Sequence, residues 1–178
     1  MIERIIIAGS GGQGVMLLGK VIAEAAMRKG CFVTWLPAYG PEVRGGTAHC
    51  TVVISDQEIG SPYVNKADTL IILNQPSLDK FKSKLSPKGV LILNASLASS
   101  AKLAKIKVFY YPFTDLALKL GNIKIANMVA LGCYLADKKL FSLNDIFNVF
   151  EFMTQGANSN LVEINKKALQ EGAKLKNG

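Results

Sequence analysis

The chain has 178 residues, a formal net charge of +8, 49% hydrophobic residues and only 19% charged residues. This length predicts one domain, and such a chain can bury roughly 70% of the surface of its unfolded state without disulfides or metal. Its lysines and arginines are scattered, with no run longer than two, which argues against a nucleic-acid interface with clustered cations. A positive field suits an acidic small molecule or an acidic protein partner.

The apolar stretches and the cysteines indicate the compartment. No run of 18 apolar residues is present, and the N-terminal apolar run is too short for a signal peptide, so no membrane span is predicted. Cys31, Cys50 and Cys133 lie far apart in apolar stretches and form no C-x-x-C motif. This pattern predicts buried free thiols, no zinc or iron–sulfur ligand set in this chain, and a cytoplasmic protein.

A glycine-rich loop follows the first predicted strand, Ile5–Ala8, and precedes a helical pattern that extends to about Lys29 before Gly30. The loop fits G-x-G-x-x-G and predicts the first strand, loop and helix of a Rossmann-like domain. Backbone N–H groups and the positive end of a helix dipole would bind an anion there, most often a phosphate. The alternative is a tight turn without a ligand. The loop glycines are Gly9, Gly11, Gly12 and Gly14.

The second apolar run, residues 31–36, predicts a parallel strand buried on both faces. A dinucleotide-binding enzyme usually has an acid at the end of this strand to hold the ribose, and the nearest acid here is Glu42. This argues against NAD. Residues 37–46 hold two prolines and three glycines and predict a long loop, in which Arg44 is either an anion clamp or an exposed arginine.

Residues 47–55 predict a long strand, with a tight turn at 56–57 and a short return over 58–62. This pattern predicts an antiparallel hairpin inserted in an otherwise parallel sheet. The strand contains His49, the only histidine. A lone histidine in a strand is more often a hydrogen-bonded structural residue than a catalyst, and no catalytic arrangement can be assembled around it.

The remaining chain alternates strands and helices and then becomes helical. Strands are predicted at 69–73, 90–93 and 106–110, with short helices at 76–84 and 98–104, and helices at 112–120, 125–136 and beyond Ser142. The predicted fold class is α/β, a Rossmann-like three-layer α/β/α arrangement with a mostly parallel sheet and a helical C-terminal third. Asn127, in an otherwise apolar helix, must be hydrogen-bonded if it is buried.

Two motifs together resemble a known family. They are Gly9-Ser-Gly-Gly-Gln-Gly14-Val15 and Tyr39-Gly-Pro-Glu-Val-Arg44-Gly-Gly46, accompanied by Val52-Val53-Ile54-Ser55 and Ile59-Gly-Ser-Pro62. From about residue 5 to residue 135 the chain resembles the gamma subunit of the 2-oxoacid:ferredoxin (acceptor) oxidoreductases. The sequence Pro-Ala-Tyr-Gly-Pro-Glu most resembles the corresponding sequence of the 2-oxoglutarate enzymes. The pyruvate and 2-ketoisovalerate gamma subunits are related. A single gamma-type domain over residues 1–178 is expected.

The resemblance implies that different subunits carry the different cofactors and steps of the reaction. The family decarboxylates a 2-oxoacid on thiamine diphosphate, transfers the acyl group to coenzyme A, and passes electrons through iron–sulfur clusters to ferredoxin or another acceptor. It places thiamine diphosphate on the alpha and beta subunits and the clusters on the beta and delta subunits. The gamma domain packs on the others and is associated with coenzyme A binding. We therefore expect no catalytic residue here, no activity of the chain alone, and self-association of the isolated chain through its partner-facing surface.

The expected site is an anion site on the two motifs. The N–H groups of the first motif would hold a phosphate or a partner's carboxylate, Gln13 would donate to the same ligand, and Arg44 would clamp an anion. Two other hypotheses stay open: an independent Rossmann-type oxidoreductase that uses NAD or FAD, and a purely structural subunit. The expected coenzyme A or anion-binding residues are Gly9, Gly11, Gly12, Gln13, Gly14, Tyr39, Glu42, Arg44, Gly45 and Gly46.

Overall fold

A computed structural model of the chain describes residues 1–38, 47–99, 106–154 and 159–175. Six strands in this part of the chain form one mixed sheet in the order β2-β3-β1-β4-β5-β6. The apolar sequence runs explain why these segments are strands, since most of them are buried on both faces. The strands are β1 (Ile2–Ser10), β2 (Phe32–Ala38), β3 (Thr47–Ser55), β4 (Ala67–Ile72), β5 (Leu85–Asn94) and β6 (Lys107–Tyr111).

Helices follow the strands much as the sequence predicts. One difference is that β5 already begins at Leu85, five residues before the predicted start of this strand at residue 90. Residues 98 and 99 are not helical, and the rest of the helix predicted at 98–104 lies outside the described residues. The helices are α1 (Val15–Arg28), α2 (Gln75–Phe81), α3 (Phe113–Lys119), α4 (Ala126–Lys138), α5 (Leu143–Met153) and α6 (Ser159–Ala173), with 3₁₀ turns at Lys82–Lys84 and Ile123–Ile125.

The sheet is mostly parallel, and the inserted antiparallel hairpin is present, but its arms differ from the predicted ones. β1, β4, β5 and β6 pair in parallel. β3 pairs antiparallel with β1 on one side and with β2 on the other, so the hairpin consists of β2 and β3. Residues 58–62 form no strand. The prediction paired residues 47–55 with the short segment that follows them in sequence. In the structure, β3 instead pairs along most of its length with β1 on one side and β2 on the other.

β2 differs from its predicted environment. Because β3 lies between β2 and β1, β2 is an edge strand rather than a buried parallel strand. Its residues are half-buried, and Phe32 is 46% exposed. Apolar character alone therefore did not distinguish this edge strand from the central ones.

Two hydrophobic clusters cover the two faces of the sheet and give the predicted three layers. Ile5 and Ile7 of β1 point into the larger cluster, which includes α1, α3, α4, α5 and α6. Ile6 and Ala8 point into the smaller cluster, to which α2 is the only described helix that contributes. This alternation follows from the two-residue period of a strand.

α4 is the central helix of the larger layer. All residues from Asn127 to Leu135 are buried, as its apolar composition predicts. Its backbone is in close contact with that of α6, because a Cβ atom at Gly132 would overlap the carbonyl oxygen of Leu169. Among the described residues, no helix combines the length and the apolar composition needed to cross a membrane.

Candidate functional site

The glycine loop connects β1 to α1 with an uncapped helix start. Gln13 N donates to Ser10 O at 3.2 Å, which closes the turn. Gly14 is the N-cap of α1 with φ of 71°, no side chain caps the helix, and its first turn contains no acid. The free N–H groups and the positive end of the dipole therefore face the loop, as predicted.

The loop positions are glycines for different structural reasons. A Cβ atom at Gly9 would lie 2.7 Å from Gln13 Oε1 and 3.1 Å from Leu73 Cβ, and one at Gly14 would overlap the carboxamide of Asn127. Gly11 and Gly12 have open space at the same position. Gly9 and Gly14 thus serve close packing within the protein, whereas Gly11 and Gly12 leave room for a ligand next to the backbone.

Gln13 fixes the conformation of the loop. Its Oε1 accepts a hydrogen bond from Ser10 N at 2.7 Å, and its Nε2 donates to Leu73 O at 3.3 Å. These bonds attach the loop to the carboxyl end of β4. A bond from Gln13 to a ligand stays a prediction.

A cleft of about 320 Å³ opens beside the loop. It lies at the carboxyl ends of the parallel strands β1, β4 and β5, where open α/β sheets bind their ligands. Most of its wall is apolar, with the side chains of Leu73, Leu97 and Ile123. The described lining residues are Gly11, Gly12, Gln13, Leu73, Asn94, Leu97, Thr114, Ile123, Lys124 and Ala126.

A buried hydrogen-bond network forms the floor of the cleft. Asn94 Nδ2 donates to Leu73 O at 3.1 Å and to Thr114 Oγ1 at 2.9 Å, and Asn94 Oδ1 accepts from Ser96 N at 3.3 Å. Asn94 is fully buried. Both hydrogens of the Asn94 amide are bonded within the chain, so this amide cannot donate to a ligand. Its bonds hold the elements that form the walls of the cleft in place.

Positive charge is concentrated at the rim. Lys124 is the one cation among the described lining residues, which include no acid. Asn122 holds the Lys124 turn by accepting from Lys124 N at 3.0 Å. α4 begins directly after this turn with no acid in its first turn, although Ala126 N and Met128 N already donate to Ile123 O and Asn127 Oδ1. The uncapped N-terminus of α1 and Lys124 therefore lie beside the same cleft. The arrangement favours an anionic group on a partly apolar ligand.

The structure brings together half of the predicted site. Gly9, Gly11, Gly12, Gln13 and Gly14 are all in the loop described above. Sequence reasoning missed Asn94, Thr114 and Lys124. Asn94 had a usable signal, because it directly follows an apolar run at the end of a parallel strand. The predicted residues Tyr39, Glu42, Arg44, Gly45 and Gly46 lie outside the described residues.

His49 is in a structural environment. Its ring is 4.7 Å from the ring of Phe81, centroid to centroid. Burial lowers the pKa of His49, and the positive charges of Lys80 and Lys84 lower this pKa further. The lowered pKa favours the neutral ring, which fits a structural residue rather than a general acid. The expected hydrogen bond is not confirmed, because the buried Nδ1 of His49 has no partner among the described residues.

The prediction of buried thiols is confirmed for Cys50 and Cys133 and is wrong for Cys31, which is only partly buried. Cys31, Cys50 and Cys133 are all free. Burial raises the pKa of Cys50 and that of Cys133 to about 12. In the part of the chain that the structure describes, no three His, Cys, Asp or Glu residues come together as metal ligands.

The family model described as pyruvate ferredoxin/flavodoxin oxidoreductase matches residues 4–175. The chain is 38% identical over 170 residues to the ketoisovalerate oxidoreductase subunit VorA of Methanothermobacter thermautotrophicus, covering 96% of this chain and 35% of VorA. It is 38% identical over 136 residues to the 2-oxoglutarate synthase subunit KorC of Methanocaldococcus jannaschii, covering 74% of this chain and 73% of KorC. The chain thus spans about a third of the length of VorA and most of that of KorC.

Solved structures share the fold. The keto/oxoacid ferredoxin oxidoreductase gamma subunit of Geobacter sulfurreducens superposes with a TM-score of 0.85 at 29% identity, covering 98% of this chain and 96% of that one. The 2-oxoglutarate:ferredoxin oxidoreductase of Magnetococcus marinus gives a TM-score of 0.87 at 24% identity, covering 98% of this chain and 31% of that one. The expected α/β fold and the resemblance to gamma subunits are both confirmed.

Proposed function

The chain belongs to the pyruvate ferredoxin/flavodoxin oxidoreductase family, and from that premise we propose that it is the gamma component of a 2-oxoacid:ferredoxin oxidoreductase. The assembled enzyme would oxidatively decarboxylate a 2-oxoacid, join the acyl group to coenzyme A and pass the electrons to ferredoxin or another acceptor. The part proposed for this chain, one gamma-type domain over residues 1–178, is to bind coenzyme A and to complete the assembly. The observation that carries this proposal is the cleft beside the glycine loop.

Coenzyme A matches the chemistry of the cleft. Its phosphates suit the N–H groups of the glycine loop and the ammonium group of Lys124, since charge-assisted hydrogen bonds are the strong ones. Its less polar portions suit the walls formed by Leu73, Leu97 and Ile123. The Magnetococcus marinus enzyme, which shares this fold, was solved with coenzyme A and succinyl-CoA bound. Arg44 would add a second cationic contact.

The 2-oxoacid proposed is 2-oxoglutarate. 2-Oxoglutarate synthase subunits are 38% and 36% identical to this chain, which covers 73% and 75% of their length. The pyruvate/ketoisovalerate common subunit gamma of Thermococcus kodakarensis is covered over 91% of its length but is only 28% identical. A branched-chain 2-oxoacid is the second candidate, because the match to the ketoisovalerate subunit extends over 96% of this chain. Initial rates of the assembled enzyme with 2-oxoglutarate and with 2-ketoisovalerate would decide between them.

Thiamine diphosphate and the iron–sulfur clusters are proposed on partner subunits of alpha, beta and delta type. When bound there, thiamine diphosphate would stabilise the carbanion left by decarboxylation. The three cysteines of this chain are not grouped as ligands, and burial raises the pKa of the Cys50 and Cys133 thiols to about 12. Free thiols also fit the reducing cytoplasm, which is the proposed compartment.

Exposed apolar side chains are candidates for partner contacts. Leu118 is 54% exposed, and Tyr63 is 75% exposed. We propose that partner subunits cover such positions and that the isolated chain self-associates through them. Sedimentation of the isolated chain over a concentration series tests this, and a strictly monomeric species would contradict it.

Calorimetric titration of coenzyme A into the assembled complex tests the main proposal. Lys124→Ala should weaken coenzyme A binding by about tenfold, because one hydrogen bond to a charged group contributes roughly 1.5–3 kcal/mol. The matched control is Lys20→Ala, which removes an exposed lysine of α1 that does not line the cleft. Unchanged affinity in Lys124→Ala would contradict the assignment of the cleft.

The structural-subunit hypothesis makes a different prediction in the same samples. If the loop binds a partner's carboxylate instead, the complex would bind no coenzyme A through this chain, and Lys124→Ala would weaken subunit association. Size-exclusion chromatography of the same variants would reveal that outcome.

A further inference from the structure

Asn127 is a buried polar residue that does not line the cleft. It lies in the first turn of α4 and is 2% exposed. Its Nδ2 donates to Gly14 O at 3.2 Å, and its Oδ1 accepts from Met128 N at 3.0 Å. The bond to Met128 N fixes the orientation of the amide, so the nitrogen must face Gly14. The sequence-based expectation that a buried Asn127 is hydrogen-bonded is confirmed.

These bonds join the two walls of the cleft. Gly14 ends the glycine loop, and its carbonyl oxygen also accepts the first hydrogen bond of α1, from Leu18 N at 3.0 Å. On the other side, Asn127 directly follows Ala126, which lines the cleft together with Lys124. A single carboxamide therefore connects elements that are 113 residues apart in sequence.

The contact is also sterically exclusive. The Asn127 carboxamide occupies the place of a side chain at residue 14, since a Cβ atom there would overlap its Nδ2. The loop and α4 are thus in direct contact, and only a residue without a side chain at position 14 allows this close approach. Two rigid helices, α1 and α4, begin at this contact.

We infer that Asn127 is a positioning residue of the cleft. It sets the separation between the N–H groups of the glycine loop and the Lys124 turn, and so the spacing at which the protein meets the phosphate oxygens of its ligand. Asn127 itself is not among the lining residues of the cleft. This inference rests on the proposed coenzyme A site, because the phosphates are those of that ligand.

The test compares Asn127→Leu with Asn165→Leu. Leucine has nearly the shape of asparagine and removes the donor without adding charge. Asn165 is a matched control: it is 5% exposed and its Nδ2 also donates to a backbone carbonyl, that of Leu161 at 2.6 Å, within α6. Asn165→Leu loses its bond to Leu161 O, and Asn127→Leu loses its bonds with Gly14 O and Met128 N, so only the second variant loses a bond to the glycine loop.

Ligand binding is measured on the assembled complex with coenzyme A and with pantetheine, which has no phosphate. Asn127→Leu should bind coenzyme A about tenfold to about a hundredfold more weakly, as expected for misplaced contact groups, with pantetheine affinity unchanged. Asn165→Leu should leave both affinities unchanged. Equal losses in both variants, equal losses for both ligands, or no loss in Asn127→Leu would overturn the inference.

Hydrogen exchange of the full chain without ligand separates this inference from the proposed function. Amides of residues 10–18 should exchange faster in Asn127→Leu than in Asn165→Leu. If the native complex binds no coenzyme A, the proposed function fails, and the exchange result alone decides whether Asn127 holds the loop. Unchanged exchange in this segment would overturn the positioning role whatever the ligand.

Discussion

Asn94 and Thr114 bond each other twice: Asn94 Nδ2 donates to Thr114 Oγ1 at 2.9 Å, and Thr114 N donates to Asn94 Oδ1 at 3.3 Å. The pair attaches the end of β5 to the first turn of α3 across 20 residues of sequence. It also explains how a polar floor can exist in an apolar layer, because buried polar groups are stable only when they are paired.

Thr114→Val should destabilise the protein by about 1–3 kcal/mol, since it keeps the side-chain shape but leaves one hydrogen of the buried Asn94 amide without an acceptor. Urea denaturation measures the change. Thr51→Val is the control, because the Thr51 hydroxyl donates to Pro62 O over a longer 3.3 Å in a partly exposed place. An equal effect in both variants would contradict the importance of the Asn94 contact.

Three glycine substitutions in the loop should form a graded series. Gly11→Ala should be nearly neutral for stability, because its Cβ atom meets open space. Gly12→Ala should cost about 1–2 kcal/mol, because φ at Gly12 is 87°. Gly14→Ala should cost the most, since it combines φ of 71° with the overlap at Asn127.

Thermal unfolding ranks the series, and coenzyme A titration of the complex adds an independent reading. Gly11→Ala should weaken binding despite its normal stability, because residue 11 lines the cleft. A binding loss that simply follows the stability loss across the three variants would argue against a ligand at this loop.

Gly132→Ala should destabilise the protein by about 1–3 kcal/mol or more. Its Cβ atom would overlap Leu169 O and come within 2.8 Å of Ala173 N, and both are backbone atoms that a side-chain rotation cannot move. α4 and α6 would have to separate. Gly60→Ala, where a Cβ atom meets nothing within 4 Å, should change the unfolding free energy by less than about 0.5 kcal/mol, and a similar result at Gly132 would refute the close helix contact.

Glu3→Gln should change how stability depends on pH. Burial is the largest cause that raises the pKa of Glu3 above its usual 4.5, although the Thr69 hydroxyl, which donates to Glu3 Oε1 at 2.6 Å, and Lys138 partly oppose it. The folded state therefore binds this proton more tightly than the unfolded state, and the contribution of Glu3 falls as pH rises from 4.5 through the folded pKa. Glutamine removes that dependence.

The measurement is the unfolding free energy of both proteins over a pH series. The native protein should lose stability relative to Glu3→Gln as pH rises through this window. A difference that is constant with pH, or that has the opposite sign, would refute the prediction.

Local signals account for most of what the sequence could predict. The glycine loop, the start of α1 and the end of that helix before Gly30 depend on neighbouring residues, and all three are confirmed. The helix predicted beyond Ser142 is confirmed as well, and Ser142 caps it: Asp145 N donates to Ser142 Oγ at 3.1 Å, and Ser142 N donates to Asp145 Oδ2 at 2.7 Å. Such caps involve residues three apart in sequence, so they can be predicted without knowing the tertiary structure.

The tertiary arrangement of the strands and helices could not be predicted from local sequence in the same way. Nothing within β3 indicates that it pairs with β1 and β2, because any long apolar strand can take several partners. Likewise Lys124 has no local signal, since only the path of the chain through β5, α3 and the following turn brings it opposite the glycine loop. The sequence therefore predicted one wall of the cleft and not the other.

The insertion of β3 has a consequence for cofactor exchange by protein engineering. Ala38 is paired with His49, and His49 with Ala8, so the end of β2 lies two strand spacings, about 10 Å, from the end of β1. In dinucleotide-binding folds these two strands are neighbours, and an acid grafted onto the second one reaches the ribose. A grafted acid at Pro37 or Ala38 would be a full strand too distant. This scaffold will not become NAD-dependent by that exchange, whatever residue is placed there.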